Sequence, residues 1–532
     1  MSVNTERRHI YPVLSENVRL HRNAAGGYLT VLEPQVAEVR PGYRRPARAS
    51  FATEGYVLDY LGLVNGQRDA RALEEAFSTK YGLVFGPVLA GTVWDMLGGT
   101  LAELVEFLPE PVSGPRETPA TGGDDAFYPA HATFEIIETC NFACDHCYYS
   151  SAPWKTGKIE FADAVRVMDR LRSNGARVIE LTGGECTIHP EFLDILAAAS
   201  ERFDMVAVIT NGYRIGTNEA FAAKVCATPN LIAQVSIDGL DERHDTFRKH
   251  RKAFESAVSA VRRLVAAGKL VRIASAISEA TLDDVAGLYE LGKSLGVAKH
   301  EFSPVAALGR GCNVTDAAHG SQRLVHQINE RLAALQDYVP TYAEVPTLAT
   351  GYELPRNCGA GWRTFAIDYN GEVRACNFSR ESKKFGNILD DDYSSIFGQR
   401  ANFLFHNAPS PGGRDCLGCD YYHYCRGCFV KAFMVSEKEY PECPWRAKWF
   451  PRMPLTRENH PAGQAAQDIR RSLPRYTVED NPVVCRSCAP ADDHSDGVRV
   501  GTDMSAGGGH GGSGGSATPG PVFLGSIGVR HE

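Results

Sequence analysis

No stretch of this chain approaches the ~18 consecutive apolar residues that a membrane-spanning helix needs, and the opening MSVNTERRHIYP has no apolar signal-peptide core. An excess of positive charge is missing too. Lys and Arg number 56 against 64 Asp and Glu, and the net charge of -8 gives no global basic field for nucleic acid. These absences exclude a membrane span and a general DNA or RNA binder, and they place the chain in the cytoplasm. The composition is otherwise that of a soluble protein, 43% hydrophobic and 23% charged. Cysteine is the residue in surplus, at fifteen. In a reducing compartment thiols are metal ligands more often than disulfides, and here they cluster.

At 532 residues the chain is too long for one core, and domain sizes suggest roughly three or four units. Residues 10–109 read as a small α+β unit in which two short strands, at 18–20 and 28–32, precede three helical patterns. The second pattern carries Leu73, Phe77 and Tyr81 at i+4 spacing, with Asp69 placed to cap its start. The third carries Leu89, Val93, Leu97, Leu101, Leu104 and Leu108 on one stripe. Arg40, Arg44, Arg45 and Arg48 lie in a basic loop between strands and helices. Residues 110–128 are rich in proline, glycine and polar groups and read as a linker. From 129 to 306 strands alternate with amphipathic helices; after the strand at 134–138 come runs at 177–181, 205–210, 231–237, 270–277 and 300–303. Six β/α units with short connections predict a parallel sheet, closed as a partial barrel. A bridging helical segment at 307–344 leads to a second cysteine field at 345–453, and the tail 454–532 is of low complexity and predicted to be disordered.

The run Cys140-Asn141-Phe142-Ala143-Cys144-Asp145-His146-Cys147 follows directly on the strand at 134–138. Three thiolates on one loop can hold three irons of a four-iron cube and leave the fourth open to a ligand. A zinc knuckle with His146 as fourth ligand is the alternative. The loop sits at a strand's carboxyl end, where β/α barrels place their active sites. At the corresponding ends of the next strands stand Thr182-Gly183-Gly184-Glu185, Thr210-Asn211-Gly212 and Ser236-Ile237-Asp238-Gly239, followed by His244-Asp245-Thr246-Phe247-Arg248. Each alone is a turn or helix cap as readily as a binding element. Glycine permits close backbone approach to a ligand, and Glu185 can accept hydrogen bonds from an ammonium.

In this order the motifs resemble the radical S-adenosylmethionine (SAM) superfamily, with its CxxxCxxC loop and GGE motif. The resemblance implies a [4Fe-4S] cluster on Cys140, Cys144 and Cys147 whose open iron chelates SAM. It implies reductive cleavage of SAM to a 5'-deoxyadenosyl radical, with SAM contacts from Gly183, Gly184, Glu185, Asn211, Ser236, Asp238 and Arg248. Two departures stand out: His146 replaces the usual aromatic before the third cysteine, and Cys186 replaces the proline after Glu185.

In the second field Cys358 is followed by Gly371 and Cys376, then by Cys416, Cys419, Cys425, Cys428 and Cys443. Thiols at this pitch are zinc or iron–sulfur ligands. The pattern resembles the SPASM domain, with two auxiliary iron–sulfur clusters, although only Arg426 and Gly427 separate Cys425 from Cys428 where the family has three residues. By that resemblance Cys416, Cys419, Cys425 and Cys443 hold the outer cluster. Cys358, Cys376 and Cys428 hold the inner one, which is left one thiolate short. A non-cysteine side chain, water or the substrate itself can fill the gap, and the tail pair Cys485 and Cys488 is a further candidate; Cys226 and Cys312 read as packing residues.

The N-terminal unit resembles the PqqD-like domains that grip a leader peptide as an added strand beside the third helix; a generic winged-helix packing domain is the alternative. The fold class expected is therefore α/β, a partial (β/α)6 TIM-type barrel between an N-terminal α+β winged-helix-like domain and a C-terminal iron–sulfur domain. The function implied is that of a maturase crosslinking a ribosomally made precursor peptide through a C–C or thioether bond. Its partners would be a leader-bearing peptide and an electron donor such as flavodoxin or ferredoxin. Dehydrogenation or formylglycine-type oxidation without crosslinking, and epimerisation, are the alternatives within enzymes. An iron–sulfur electron carrier is the alternative outside them. No acid or base can be assigned.

Overall fold

The computed structural model describes residues 9–450 apart from 32–34, 41–42, 48–49, 315–316, 336–356, 380–383 and 439. The N-terminal unit begins with β1 (Tyr11–Leu14), β2 (Val18–Asn23) and β3 (Gly26–Val31). Next come β4 (Gln35–Arg40), β5 (Tyr43–Ala47) and β6 (Ser50–Thr53). Six strands thus stand where the sequence suggested two, because β4 and β5 form a hairpin from the stretch read as a basic loop. Arg40, Arg44 and Arg45 lie on that hairpin, and Arg48 lies outside the described residues.

Two helices follow, α1 (Gly55–Leu63) and α2 (Ala70–Gly98). The capping role of Asp69 holds: its carboxylate accepts the Ala72 amide at 2.9 Å. The second and third helical patterns form one run, α2, broken only at Gly82, whose φ of 81° and ψ of 161° are not helical. The leucine stripe continues as helix through Leu97; Leu104 lies in a 3-10 turn, and Leu108 ends β7 (Val105–Leu108), which pairs with β1. Gly98 and Gly99 end the helix there, since glycine carries the largest conformational cost in helical geometry.

The linker stretch is partly structured. Within it β8 (Ala120–Gly122) joins β2 in parallel, giving a sheet of order β6-β3-β2-β8. Phe127 is fully buried, its amide donating to the Phe397 carbonyl at 3.0 Å. Ala24 donates to Ala126 (2.9 Å), and the buried His21 ring bonds Thr121 Oγ1 (2.9 Å) and the Tyr128 carbonyl (2.6 Å), so the N-terminal sheet is fastened to the barrel's entry.

The central strands are β9 (His131–Ile137), β10 (Val178–Gly183), β11 (Met205–Thr210), β12 (Leu231–Ser236), β13 (Leu270–Ile277) and β14 (Lys299–Pro304). They are parallel neighbours in chain order, as the alternating pattern predicts. All seven β9 residues are buried, as befits a parallel strand covered on both faces. Helices Phe161–Ser173 and Ala253–Ala266 bury Val167, Met168 and Leu171, and Ala257, Val261 and Leu264, at helical spacing against this sheet. The cysteine-rich region does not stand apart from it. Its first strand, β15 (Thr364–Ile367), runs parallel to β9 on the far edge, and β16 (Glu372–Arg374) and β17 (Gly386–Asn387) extend the sheet antiparallel. The buried Arg374 of β16 pairs with the buried Glu135 of β9. Among the described residues no helix is long and apolar enough to cross a membrane.

Candidate functional site

The cysteine loop leaves the carboxyl end of β9 with Cys140 and Cys144 buried and Cys147 partly exposed. Backbone bonds fold it back: Cys140 donates to Ala152 (3.3 Å) and Asp145 to Phe247 (3.2 Å). Arg310 clamps it from outside, its Nε donating to the Cys144 carbonyl and an Nη to the Ser151 carbonyl, both at 2.7 Å, while its own amide reaches the Cys147 carbonyl at 3.1 Å. Burial pushes the Cys144 thiol up to about 11 against the opposing Arg248 and Arg310 charges, and pushes Cys140 higher. Among the described residues no three His, Cys, Asp or Glu side chains crowd together as a single metal ion requires. A four-iron cube spreads its thiolates over separate corners and suits a loop of this kind.

The next strand end is pressed against this loop. A Cβ on Gly183, at φ 137°, would lie 2.1 Å from the Ile137 carbonyl oxygen, and one on Gly184 would lie 2.1 Å from that of Thr139. Gly184 and Glu185 donate their amides to those carbonyls at 2.7 and 3.0 Å. Glu185, expected to face a ligand ammonium, is a buried hub. Its Oε1 accepts from the Thr187 amide (3.1 Å), Thr187 Oγ1 (2.5 Å) and Thr210 Oγ1 (2.7 Å), and its Oε2 accepts from the Asn211 amide (2.7 Å). The carboxylate therefore ties β10 to β11, with Oε2 the less engaged oxygen. Asn211 donates from Nδ2 to Asn141 Oδ1 at 2.9 Å and reaches to 4.0 Å from Cys140 Sγ.

Ser236 ends β12 partly exposed, whereas Asp238 is wholly buried. Its carboxylate takes Arg248 Nε (2.7 Å), Arg248 Nη2 (2.6 Å), His146 Nε2 (3.2 Å) and the Ala276 amide (2.9 Å). Burial alone would raise this carboxyl, but the Arg248 guanidinium and His146 outweigh it and hold it well below the usual carboxylate range. Asp238 and Arg248 thus face each other, bracing the loop through His146, which stacks on Phe247 at 4.2 Å. The residue replacing the usual aromatic keeps the stacking and adds a polar arm that reaches Asp238. Cys186, in the proline's place, donates its thiol to the Ile209 carbonyl at 3.3 Å. Sequence reasoning missed Arg310; a lone arginine between Gly309 and Gly311 just past the sixth strand was the available signal.

In the second field the cysteines influence one another. Burial pushes Cys358 up to about 11 and Cys376 up to about 12, with Cys428 the next influence on both. Cys416 is pushed up to about 12 by burial, with Cys443 and Cys419 adding to it; Cys425 is raised further, and both Cys416 and Cys428 contribute there. Gly427, at φ 76°, makes the tight turn between Cys425 and Cys428 that a two-residue spacer demands. Packed together nearby are the rings of Phe405, Phe429, Phe433, Trp445 and Phe450. Cys226 is partly buried against the core as expected, but Cys312 is exposed and is no packing residue, because the 3-10 turn carrying it lies at the surface. Cys485 and Cys488 lie outside the described residues.

The family model of the radical SAM superfamily matches residues 134–291, and that of the SPASM iron–sulfur cluster-binding domain matches 358–429. The subtilosin biosynthesis protein AlbA of Bacillus subtilis is 30% identical over 62% of this chain and 74% of its own. The chain belongs to the radical SAM superfamily. This radical SAM enzyme carries a SPASM domain, and its cofactors are SAM and iron–sulfur clusters. The mycofactocin maturase MftC of Mycobacterium tuberculosis (H37Rv) is 28% identical to the radical SAM enzyme over 62% of the chain and 86% of MftC. In fold the enzyme is similar to Streptococcus suis SuiB, crystallised with its precursor peptide SuiA. The TM-score is 0.54 at 13% identity, covering 81% of this chain and 98% of SuiB.

Proposed function

We propose that this enzyme oxidatively modifies a ribosomally made precursor peptide, joining two of its residues through a C–C or thioether bond. The observation that carries this reading is an N-terminal sheet fastened to the barrel entry by β8 and left open at β6 among the described strands. A leader segment can add there as a further strand. The second half of α2 begins beyond Gly82 with Leu83, Val84, Phe85 and Val88 exposed, an apolar face for the leader's side chains. AlbA, a bacteriocin biosynthesis protein, and SuiB, crystallised with its precursor peptide, support the same class of substrate.

In this reading Cys140, Cys144 and Cys147 ligate the first cluster, and Gly183, Gly184, Glu185 Oε2, Asn211 and Ser236 line the SAM site. The pair Asp238–Arg248 and the clamp Arg310 hold the loop rigid around it. Bound there, SAM and its cluster supply a 5'-deoxyadenosyl radical that can remove hydrogen from a peptide carbon. Cys416, Cys419, Cys425 and Cys443 form one auxiliary set. Cys358, Cys376 and Cys428 form another, whose missing fourth thiolate leaves room for a peptide cysteine and favours thioether formation. The leader's attachment raises the local concentration of the core peptide at the barrel mouth.

Reduced, reconstituted enzyme given SAM and a leader-bearing peptide should release 5'-deoxyadenosine and leave the peptide two hydrogens lighter, with the two residues resistant to separation on fragmentation. Cys144→Ala should abolish both products. A peptide of unchanged mass after stoichiometric deoxyadenosine release would point to epimerisation and refute crosslinking.

A further inference from the structure

The helix Asp241–Arg248 is joined to the helix Ala253–Ala266 by Lys249-His250-Arg251-Lys252, of which Lys249, Arg251 and Lys252 are exposed. This basic turn lies against the first cysteine loop. Ala253, wholly buried at its end, packs with Cys140, Phe142 and Cys144 in one apolar cluster. The His250 ring stacks on Phe142 at 4.3 Å, and Lys249 Nζ meets the carboxylate of Asp145, the residue after Cys144, at 2.9 Å. The turn is thus the cover of the cysteine loop on this side. Much of its charge is left unpaired. Asp245, the nearest acid before it, is taken up by the backbone amides of Lys252 (2.7 Å) and Phe254 (2.8 Å). Among the described residues no carboxylate pairs with Arg251 or Lys252, although exposed Glu255 on the following helix offsets part of the field. Lys249 and Lys252 also hold φ of 54° and 65°, the left-handed region that glycine enters without strain. Glycine would serve a purely structural turn better at both positions, and lysines kept there under strain point to a use for their charge.

We propose that this turn is the docking surface for a small acidic protein that carries one electron to the first cluster. Reductive SAM cleavage consumes an electron, and two of the three cysteines on the loop are buried, so the reductant has to come close without entering. Electron tunnelling falls steeply with distance, which favours a carrier seated where a single turn of chain covers the loop. The carrier is oxidised by one electron, the cluster is reduced by one, and no atom is transferred. In a chain of net charge -8 there is no general attraction for an acidic protein, so a local basic surface has to select and orient it. This rests on the assignment of Cys140, Cys144 and Cys147 proposed above.

The test uses reconstituted full-length enzyme and two acidic carriers, a flavodoxin and a ferredoxin, each kept reduced by an NADPH-dependent reductase. Carrier affinity is measured by calorimetric titration at low and high salt, and 5'-deoxyadenosine release is followed with either carrier or with dithionite. The double variant Arg251→Glu, Lys252→Glu should weaken carrier binding about tenfold or more and raise the carrier KM in step. Its dithionite-driven rate and iron content should stay at wild-type values. Added salt should weaken binding to the wild type and weaken it much less for the variant. Unchanged affinity and KM would overturn the docking surface, as would failure of both carriers to bind the wild type. Loss of precursor-peptide affinity in place of carrier affinity would give the turn to an acidic peptide segment and overturn it too. Should charge reversal cost iron, Arg251→Gln with Lys252→Gln is read with the same expectations, and iron loss there as well assigns the turn to packing and overturns the proposal. No dithionite-driven cleavage by the wild type would instead refute the cysteine assignment, and the docking surface with it.

Discussion

Asp238 shows how much of this site is held by charge rather than by backbone. It has zero exposure and four donors, two of them from one guanidinium. Asp238→Asn removes the negative partner and leaves Arg248 buried with its charge uncompensated, and breaking a buried pair in this way costs about 3–5 kcal/mol. The expected outcome is a lower melting temperature together with reduced iron at the first cluster, read by calorimetry and iron assay on the same sample. Unchanged melting would show that His146 and Phe247 suffice. The serine–aspartate and arginine motifs were visible in the sequence, yet their partnership was not, because a run of letters gives the strand end but not which side chain it turns toward. Arg310 was less legible still. Its contacts to Cys144 and Ser151 span more than 150 residues of chain and exist only once β14 lies beside its neighbours.

At the level of elements, period and punctuation carried most of the information. Strands β9 to β14 announced themselves as short apolar runs closed by glycine or polar turns, and Asp69 announced the start of α2. What could not be read was pairing between distant segments. The hairpin of β4 and β5, the addition of β8 to β2 and the docking of β15 on β9 depend on partners rather than on local pattern. The close fit of the β10 end against the cysteine loop makes a direct prediction. Gly184→Ala brings a Cβ within 2.1 Å of the Thr139 carbonyl oxygen and 2.5 Å of that of Glu138, so the backbone must separate. SAM affinity should fall about tenfold or more, a change of ~1.4 kcal/mol or greater, measured by calorimetric titration; wild-type affinity would show the loop can give way without harm. On α2, Phe85→Asp should weaken leader-peptide binding by a similar factor in a fluorescence assay while leaving SAM cleavage intact, since Phe85 is 69% exposed.

Across the whole molecule, the N-terminal sheet and barrel meet at His21, held between Thr121 and the Tyr128 carbonyl. Burial pushes this imidazole down to about 4, with the Tyr128 hydrogen bond opposing. In the unfolded chain histidine titrates near ~6.5, so between those values only the unfolded chain takes up the proton. The stability contributed by the neutral ring is complete above about 6.5 and is lost as pH falls toward about 4, by roughly 3 kcal/mol at most. Urea midpoints at pH 7.5 and pH 5 should therefore differ more for the wild type than for His21→Gln, and equal differences would remove His21 from the account.

The pairing of β15 with β9 carries a consequence of its own. The strand that delivers Cys140 is flanked on its other side by a stave lent from the distal third of the chain, so removal of everything beyond residue 357 would lay bare the edge of a seven-residue strand whose side chains are all buried. Such an edge seeks another copy to pair with. The later cysteines thus come with the lateral seal of the earlier ones.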